Sequence, residues 1–212
     1  MWGTNWYWNK AQFRKKSLAE VKDLARVLVI DDRRPQLVDD LTREGWRVKY
    51  SPDLDSYHAT DLVDAHVVCL DIIGVGVGLR CDSGLELVKG IKGEYPEKKI
   101  LLYSSVQTHN IFDASIDLVD RRLFKDGQPY QFIKAVEELA FQALDWTECV
   151  RAIHSRFQSE FGIQLSFEDF EKKLRRSIGS GSSIDTKKIA KTTVSAISVA
   201  EAVAKMLKSV LG

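Results

Sequence analysis

Compact apolar runs and amphipathic stretches alternate along residues 26–144. RVLVID (26–31) and HVVCLD (66–71) are β-branched-rich runs ending in acids, the pattern of strands buried on both faces. KKILLYSS (98–105) reads the same way, WRVKYS (46–51) alternates with period two, and RRLFK (121–125) is a short fifth strand. Between these runs the period lengthens. Leu37, Val38 and Leu41 share one face of a helix over 35–44, closed by Gly45. A weak helix is expected over 54–63 and a modest one over 110–119. Residues 83–94 predict a helix that opens on Ser83-x-x-Glu86, a capping-box pattern, with Leu85, Leu87, Val88 and Ile91 on one face. Residues 129–144 carry proline in the first turn and Phe132, Ile133, Val136, Leu139 and Ala140 beyond it.

Five β-α units of this kind predict an α/β fold over 26–144, a five-stranded doubly wound parallel sheet with helices on both faces. Strand signals stop there, and 145–212 reads as an all-α extension. Helices are expected at 147–161, at 166–178 (Phe167, Phe170, Leu174 and Ile178 at helical spacing) and at 185–211. GSGSS (179–183) between the last two reads as a flexible joint. The final helix repeats apolar or small residues at 189, 193, 197, 200, 204, 207 and 211. That seam is heptad-like but shallow, and serves a homodimer, packing on the first domain, or a partner. Residues 1–25 form an arm in which Trp2, Trp6, Tyr7, Trp8 and Phe13 fold back onto an apolar surface or dock a partner.

Composition narrows the partners. Hydrophobic residues at 44% and charged residues at 29% are ordinary for a globular protein. Lys+Arg 31 against Asp+Glu 30 leaves no field to draw nucleic acid or an anionic membrane. Residues 145–212 hold 11 basic and 8 acidic side chains, so Lys172, Lys173, Arg175 and Arg176, with Lys187 and Lys188, read first as a solvated helix face and second as a DNA contact. Cys69, Cys81 and Cys149 are odd in number and form no C-x-x-C pair, which fits a reducing cytoplasm and offers no zinc site. No segment reaches the roughly 18 apolar residues of a membrane span. The longest weakly polar stretch, 192–204, contains Glu201. MWGTNWYWNKAQFRKK lacks the apolar core of a signal peptide. Gly74, Gly76 and Gly78 follow G-x-G-x-G several residues before the next helix, so they read as a lid rather than a nucleotide cradle. His154, in VRAIHSRFQ, reads as a partly exposed helical histidine rather than a phosphotransfer group.

Ligands of open α/β sheets bind at the carboxyl ends of the strands. There the first strand offers Asp31 and Asp32, the third Asp71, the fourth Ser104 and Ser105, and the fifth Lys125. Converging carboxylates raise one another's pKa unless a cation lies among them. Oxygen-only donors of high charge suit Mg²⁺. A hydroxyl and an ammonium are what phosphoryl oxygens require around them, and Asp71 is then the nucleophile.

In order and spacing, RVLVIDD, VVCLD, ILLYSS and LFK resemble the receiver domain of bacterial two-component response regulators. The intervals are 39 residues from Asp32 to Asp71, 33 from Asp71 to Ser104 and 21 from Ser104 to Lys125. The resemblance implies phosphorylation of Asp71 by a histidine kinase or phosphotransfer protein, Mg²⁺ on Asp31, Asp32, Asp71 and the Ile73 carbonyl, and switch roles for Ser104 and Lys125. It implies a phosphorelay protein, and since the sequence shows no second catalytic constellation, no enzymatic output is expected. The chain departs from the family pattern in three places. Residues 72–83, IIGVGVGLRCDS, form a longer loop without proline, Asp126 replaces the proline after the lysine, and Arg122 stands where the family has a switch aromatic. Two other readings remain open: a pseudo-receiver scaffold that is not phosphorylated, and a DNA-binding regulator with an atypical helical output.

Overall fold

The computed structural model describes residues 15–105, 114–161 and 164–179. Two compact units emerge, one spanning Lys16–Leu144 and one holding the described residues from Asp145 onward. In the first, strands β1 (Arg26–Ile30), β2 (Arg47–Ser51), β3 (Val67–Asp71), β4 (Lys99–Ser104) and β5 (Arg121–Phe124) form one parallel sheet in the order 2-1-3-4-5. The helices are α1 (Leu18–Leu24), α2 (Gln36–Arg43), α3 (Thr60–Asp64), α4 (Gly84–Glu94) and α5 (Pro129–Ala143).

The pleat sends alternate side chains of the central strands into two separate cores. Val27, Val29, Val67, Cys69, Leu101 and Tyr103 face Leu37 and Leu41 of α2 and Phe132, Val136 and Leu139 of α5. Leu28, Ile30, Val68, Leu70, Ile100 and Leu102 face Leu62 of α3 and Leu85, Val88 and Ile91 of α4. Burial on both faces explains why β1, β3 and β4 read as unbroken apolar runs.

Several local expectations shift. Helix α1 lies inside the stretch read as an arm, and it belongs to the sheet unit. Ser17 and Glu20 close a reciprocal capping box, Val21 is buried, and Lys16 Nζ donates to the Leu144 carbonyl at 3.0 Å. The helix expected over 54–63 shrinks to α3. Before it, the Asp53 carboxylate accepts the Leu54 amide at 2.8 Å and Ser56 Oγ accepts the His58 amide at 3.0 Å, local bonds that compete with a helical turn. Ser83 occupies the N-cap of α4 without a side-chain cap bond, and Glu86 instead accepts the amide of Asp82 at 2.8 Å. Of the helix expected over 110–119, the described part is a 3₁₀ turn, Ala114–Leu118.

In the second unit, α6 (Trp146–Phe161) packs with α7 (Phe167–Gly179). His154 is buried there, with Nε2 2.7 Å from the Leu165 carbonyl oxygen and its ring against Phe167 and Phe170. The partial exposure expected of it is not found, because Phe167 and Phe170 cover the ring. Arg175 pairs with Glu171 at 2.7 Å and lies over the Trp146 ring, which takes one cation out of the basic face considered for DNA. Gly179 ends α7. The remainder of the expected joint, the helix over 185–211 with Lys187 and Lys188, and the aromatic cluster from Trp2 to Phe13 lie outside the described residues. No described helix is long and apolar enough to cross a membrane.

Candidate functional site

Strand register assembles the site. Ile30 of β1 pairs with Leu70 of β3, which brings Asp31, the next residue, level with Asp71 at the end of β3. Asp71 in turn pairs with Tyr103 of β4. Ser104 pairs with Phe124, and the Ser104 carbonyl accepts the Lys125 amide at 3.0 Å. The carboxyl ends of β1, β3, β4 and β5 thus carry their polar residues to one edge of the sheet.

Asp31, Asp32 and Asp71 each present one carboxylate oxygen, and these atoms lie within 4.8 Å of one another. Asp31 and Asp71 are only 1% and 3% exposed, whereas Asp32 opens to solvent. Lys125 Nζ bridges the buried pair, 2.7 Å from Asp71 Oδ2 and 2.9 Å from Asp31 Oδ2. Asp71 Oδ1 accepts the Ile72 amide at 2.7 Å, and Asp31 Oδ1 accepts the Arg33 amide at 3.1 Å. Burial works to lower the Lys125 pKa, but the hydrogen bonds and charges of Asp71 and Asp31 outweigh it and hold the ammonium above its ordinary value. Burial first, and then the charge of Asp31, push the Tyr103 phenol far above its ordinary range, so it remains a donor.

Three carboxylates against one ammonium leave two negative charges in this cluster. A hard divalent cation matches both that charge and the all-oxygen donor set, and the solvent side at Asp32 suits an ion that retains water. Ser104 is buried at the end of β4, one residue beyond Tyr103. The side chain of Ile73, two residues beyond Asp71, is exposed.

In the glycine-rich loop after Asp71 the structure supplies an anchor. The Asp53 carboxylate, just past β2, accepts the Gly76 amide at 2.5 Å and the Gly78 amide at 2.9 Å. Gly74 and Gly76 adopt φ of 81° and 91°, backbone that glycine tolerates without strain. A Cβ on Gly74 would stand 2.8 Å from Asp32 Cγ, so the loop lies directly against a candidate metal ligand. Asp53→Ala removes the acceptor of the Leu54, Gly76 and Gly78 amides and is expected to cost about 1–3 kcal/mol. Amide hydrogen exchange at Gly76 and Gly78 should accelerate, and unchanged protection there would refute the anchoring role.

The order 2-1-3-4-5, with the acidic site at the carboxyl ends of the strands, is the arrangement of flavodoxin-like sheets. Lys16–Leu144 has this flavodoxin-like, doubly wound fold. Among solved structures, the chain is similar to the receiver domain of NtrX from Brucella abortus, with 26% identity over 54% of this chain and 97% of that one and a TM-score of 0.47. It is similar to the response regulator TrrA from Thermotoga maritima, solved in complex with Mg²⁺-BeF, with 24% identity over 54% of this chain and 98% of that one and a TM-score of 0.46. A BeF₃-activated DrrB receiver domain is 22% identical over 55% of this chain and 97% of that one, with a TM-score of 0.45. No family model matches the chain, and no curated protein matches its sequence.

Around the acidic site, sequence reading missed Tyr103 and Asp53. Tyr103 carried a faint signal, as the one aromatic in an otherwise aliphatic β4 on the same pleat as Leu101. Asp53 carried none, because its partners are backbone amides 23 and 25 residues away. The Lys125–Asp126 peptide is trans, as no cis bond occurs among the described residues.

Proposed function

We propose that this protein is a response-regulator-like phosphoacceptor in two-component signalling. Asp71 receives a phosphoryl group from a phosphohistidine of a kinase or phosphotransfer protein. The observation that carries this reading is the buried Asp31–Asp71 pair bridged by Lys125, with Asp32 completing a cluster two charges short of neutrality.

Asp31, Asp32 and Asp71, with the Ile73 carbonyl, would hold Mg²⁺. Bound there, it would offset the charge that gathers on the phosphoryl oxygens during transfer. An Asp71 carboxylate oxygen attacks phosphorus in line, forming the P–O bond as the P–N bond to the donor imidazole breaks. The imidazole leaves with the electron pair and takes up a proton. Lys125, already on Asp71, pairs with the oxygens of the new acyl phosphate, and Ser104 supplies a hydroxyl to the same group. Output follows from altered docking of a partner or second copy, through the receiver surface or the helical region after Leu144. No separate catalytic output is part of this proposal.

Incubation with acetyl phosphate and Mg²⁺ is expected to add one phosphoryl group to the intact mass. Asp71→Asn or chelation of the metal should abolish the gain. A wild-type mass that stays unchanged with both acetyl phosphate and a phosphorylated donor protein would sink the proposal.

A further inference from the structure

We infer that Tyr103 is a positioning residue for the cation site, fixing which oxygen of Asp31 remains free for the metal. This inference rests on the phosphoacceptor reading above. Tyr103 Oη donates to Asp31 Oδ2 at 2.9 Å, and Lys125 Nζ lies 2.9 Å from the same oxygen. A carboxylate oxygen has two lone-pair directions, so these two donors saturate Oδ2. Oδ1 accepts only one of the hydrogen bonds described, from the Arg33 amide, and keeps a direction for a cation. Tyr103 thereby turns a potentially bidentate carboxylate into a one-oxygen ligand of defined orientation. Mg²⁺ favours that mode, since it demands near-octahedral geometry and tolerates little ligand wandering.

Tyr103 is itself held on three sides. Its ring meets Phe132 of α5 edge-on, with centroids 6.1 Å apart and planes at 88°. Lys125 Nζ lies 5.4 Å from the centroid of the same ring. Sheet pairing with Asp71 fixes its backbone. The ring also forms one wall of a cavity of about 180 Å³, shared with Pro35, Leu37, Lys125, Pro129 and Phe132. With its ring locked between α5 and Lys125, the phenol has little freedom to leave Asp31.

The test is Mg²⁺ binding to the unphosphorylated full chain by titration calorimetry, with Mn²⁺ paramagnetic titration as a second probe. Tyr103→Phe keeps the ring and its Phe132 contact but removes the donor, while Tyr103→Leu removes both. Loss of a hydrogen bond behind a metal ligand typically costs 10–100-fold in affinity, so the Phe variant is expected to bind Mg²⁺ about tenfold more weakly than wild type. The Leu variant should bind at least as weakly. If Tyr103 only packs, the Phe variant will match wild type while the Leu variant falls. Phe-variant affinity equal to or tighter than wild type overturns the inference and leaves the phosphoacceptor reading standing. A wild-type chain that binds neither metal overturns both.

Discussion

Replacing Lys125 with methionine is expected to cost the sheet unit about 3 kcal/mol in metal-free buffer, and much less in saturating Mg²⁺. The methionine retains most of the stem but leaves Asp31 and Asp71 buried side by side without their bridging cation. Breaking a buried pair on one side costs about 3–5 kcal/mol, and the lower end applies because Lys125 is itself about one-third exposed. Bound Mg²⁺ should take over part of the neutralisation, so the two urea midpoints should converge as the metal is added. Equal stability of variant and wild type in EDTA would rule out the bridge as a structural element.

The pH dependence has a definite sign. Because the folded ammonium is held above its ordinary value, its contribution is complete below the unfolded lysine value of about 10.4. It is lost as pH rises through the folded value, so the gap between wild type and variant should close only above about pH 10.4.

Gly84→Ala is the second change expected to have a large effect. A Cβ there would stand 2.1 Å from the Asp71 carbonyl oxygen and 3.0 Å from Ile72 Cα, both of them backbone atoms that cannot rotate away. Gly84 also donates its amide to the Ile72 carbonyl at 2.8 Å, so α4 begins directly on the strand end that presents Asp71. Overpacking usually costs about 1–3 kcal/mol, and a clash against backbone belongs at or above the top of that range. The displacement should also weaken Mg²⁺ binding, because Asp71 moves with its own carbonyl. Gly93→Ala in the same helix is the control, since nothing lies within 4 Å of the added methyl. It should gain about 0.5–1 kcal/mol from helix propensity. Thermal unfolding of both variants checks the contrast, and a Gly84→Ala protein as stable as wild type would show that the junction can relax.

How much was legible depended on the range of the interaction. The strands could be read because a parallel sheet covered on both faces needs four or five consecutive apolar residues, as in Val27–Ile30 and Val67–Leu70. Asp31 and Asp71 stood out because each puts a charge where such a run stops, and Lys125 because it follows the short fifth strand. The capping box at Ser17 and Glu20 was equally local, but an aromatic-rich stretch before it drew α1 into the arm. The 54–63 helix was overread because periodicity does not weigh Asp53 and Ser56, whose side chains take neighbouring amides.

The sequence by itself determined the α/β class, the number of strands and which residues could carry charge at their ends. These follow from hydrophobic period and chain order, which are properties of neighbours along the chain. The tertiary structure alone decided that Lys125 lies between Asp31 and Asp71, that Tyr103 holds Asp31, and that Asp53 ties down the glycine loop. Each joins groups 23 to 94 residues apart, and strand register and loop path set their distances. A hydrogen bond depends on tenths of an ångström, and one residue of register would turn each of these side chains to the opposite face.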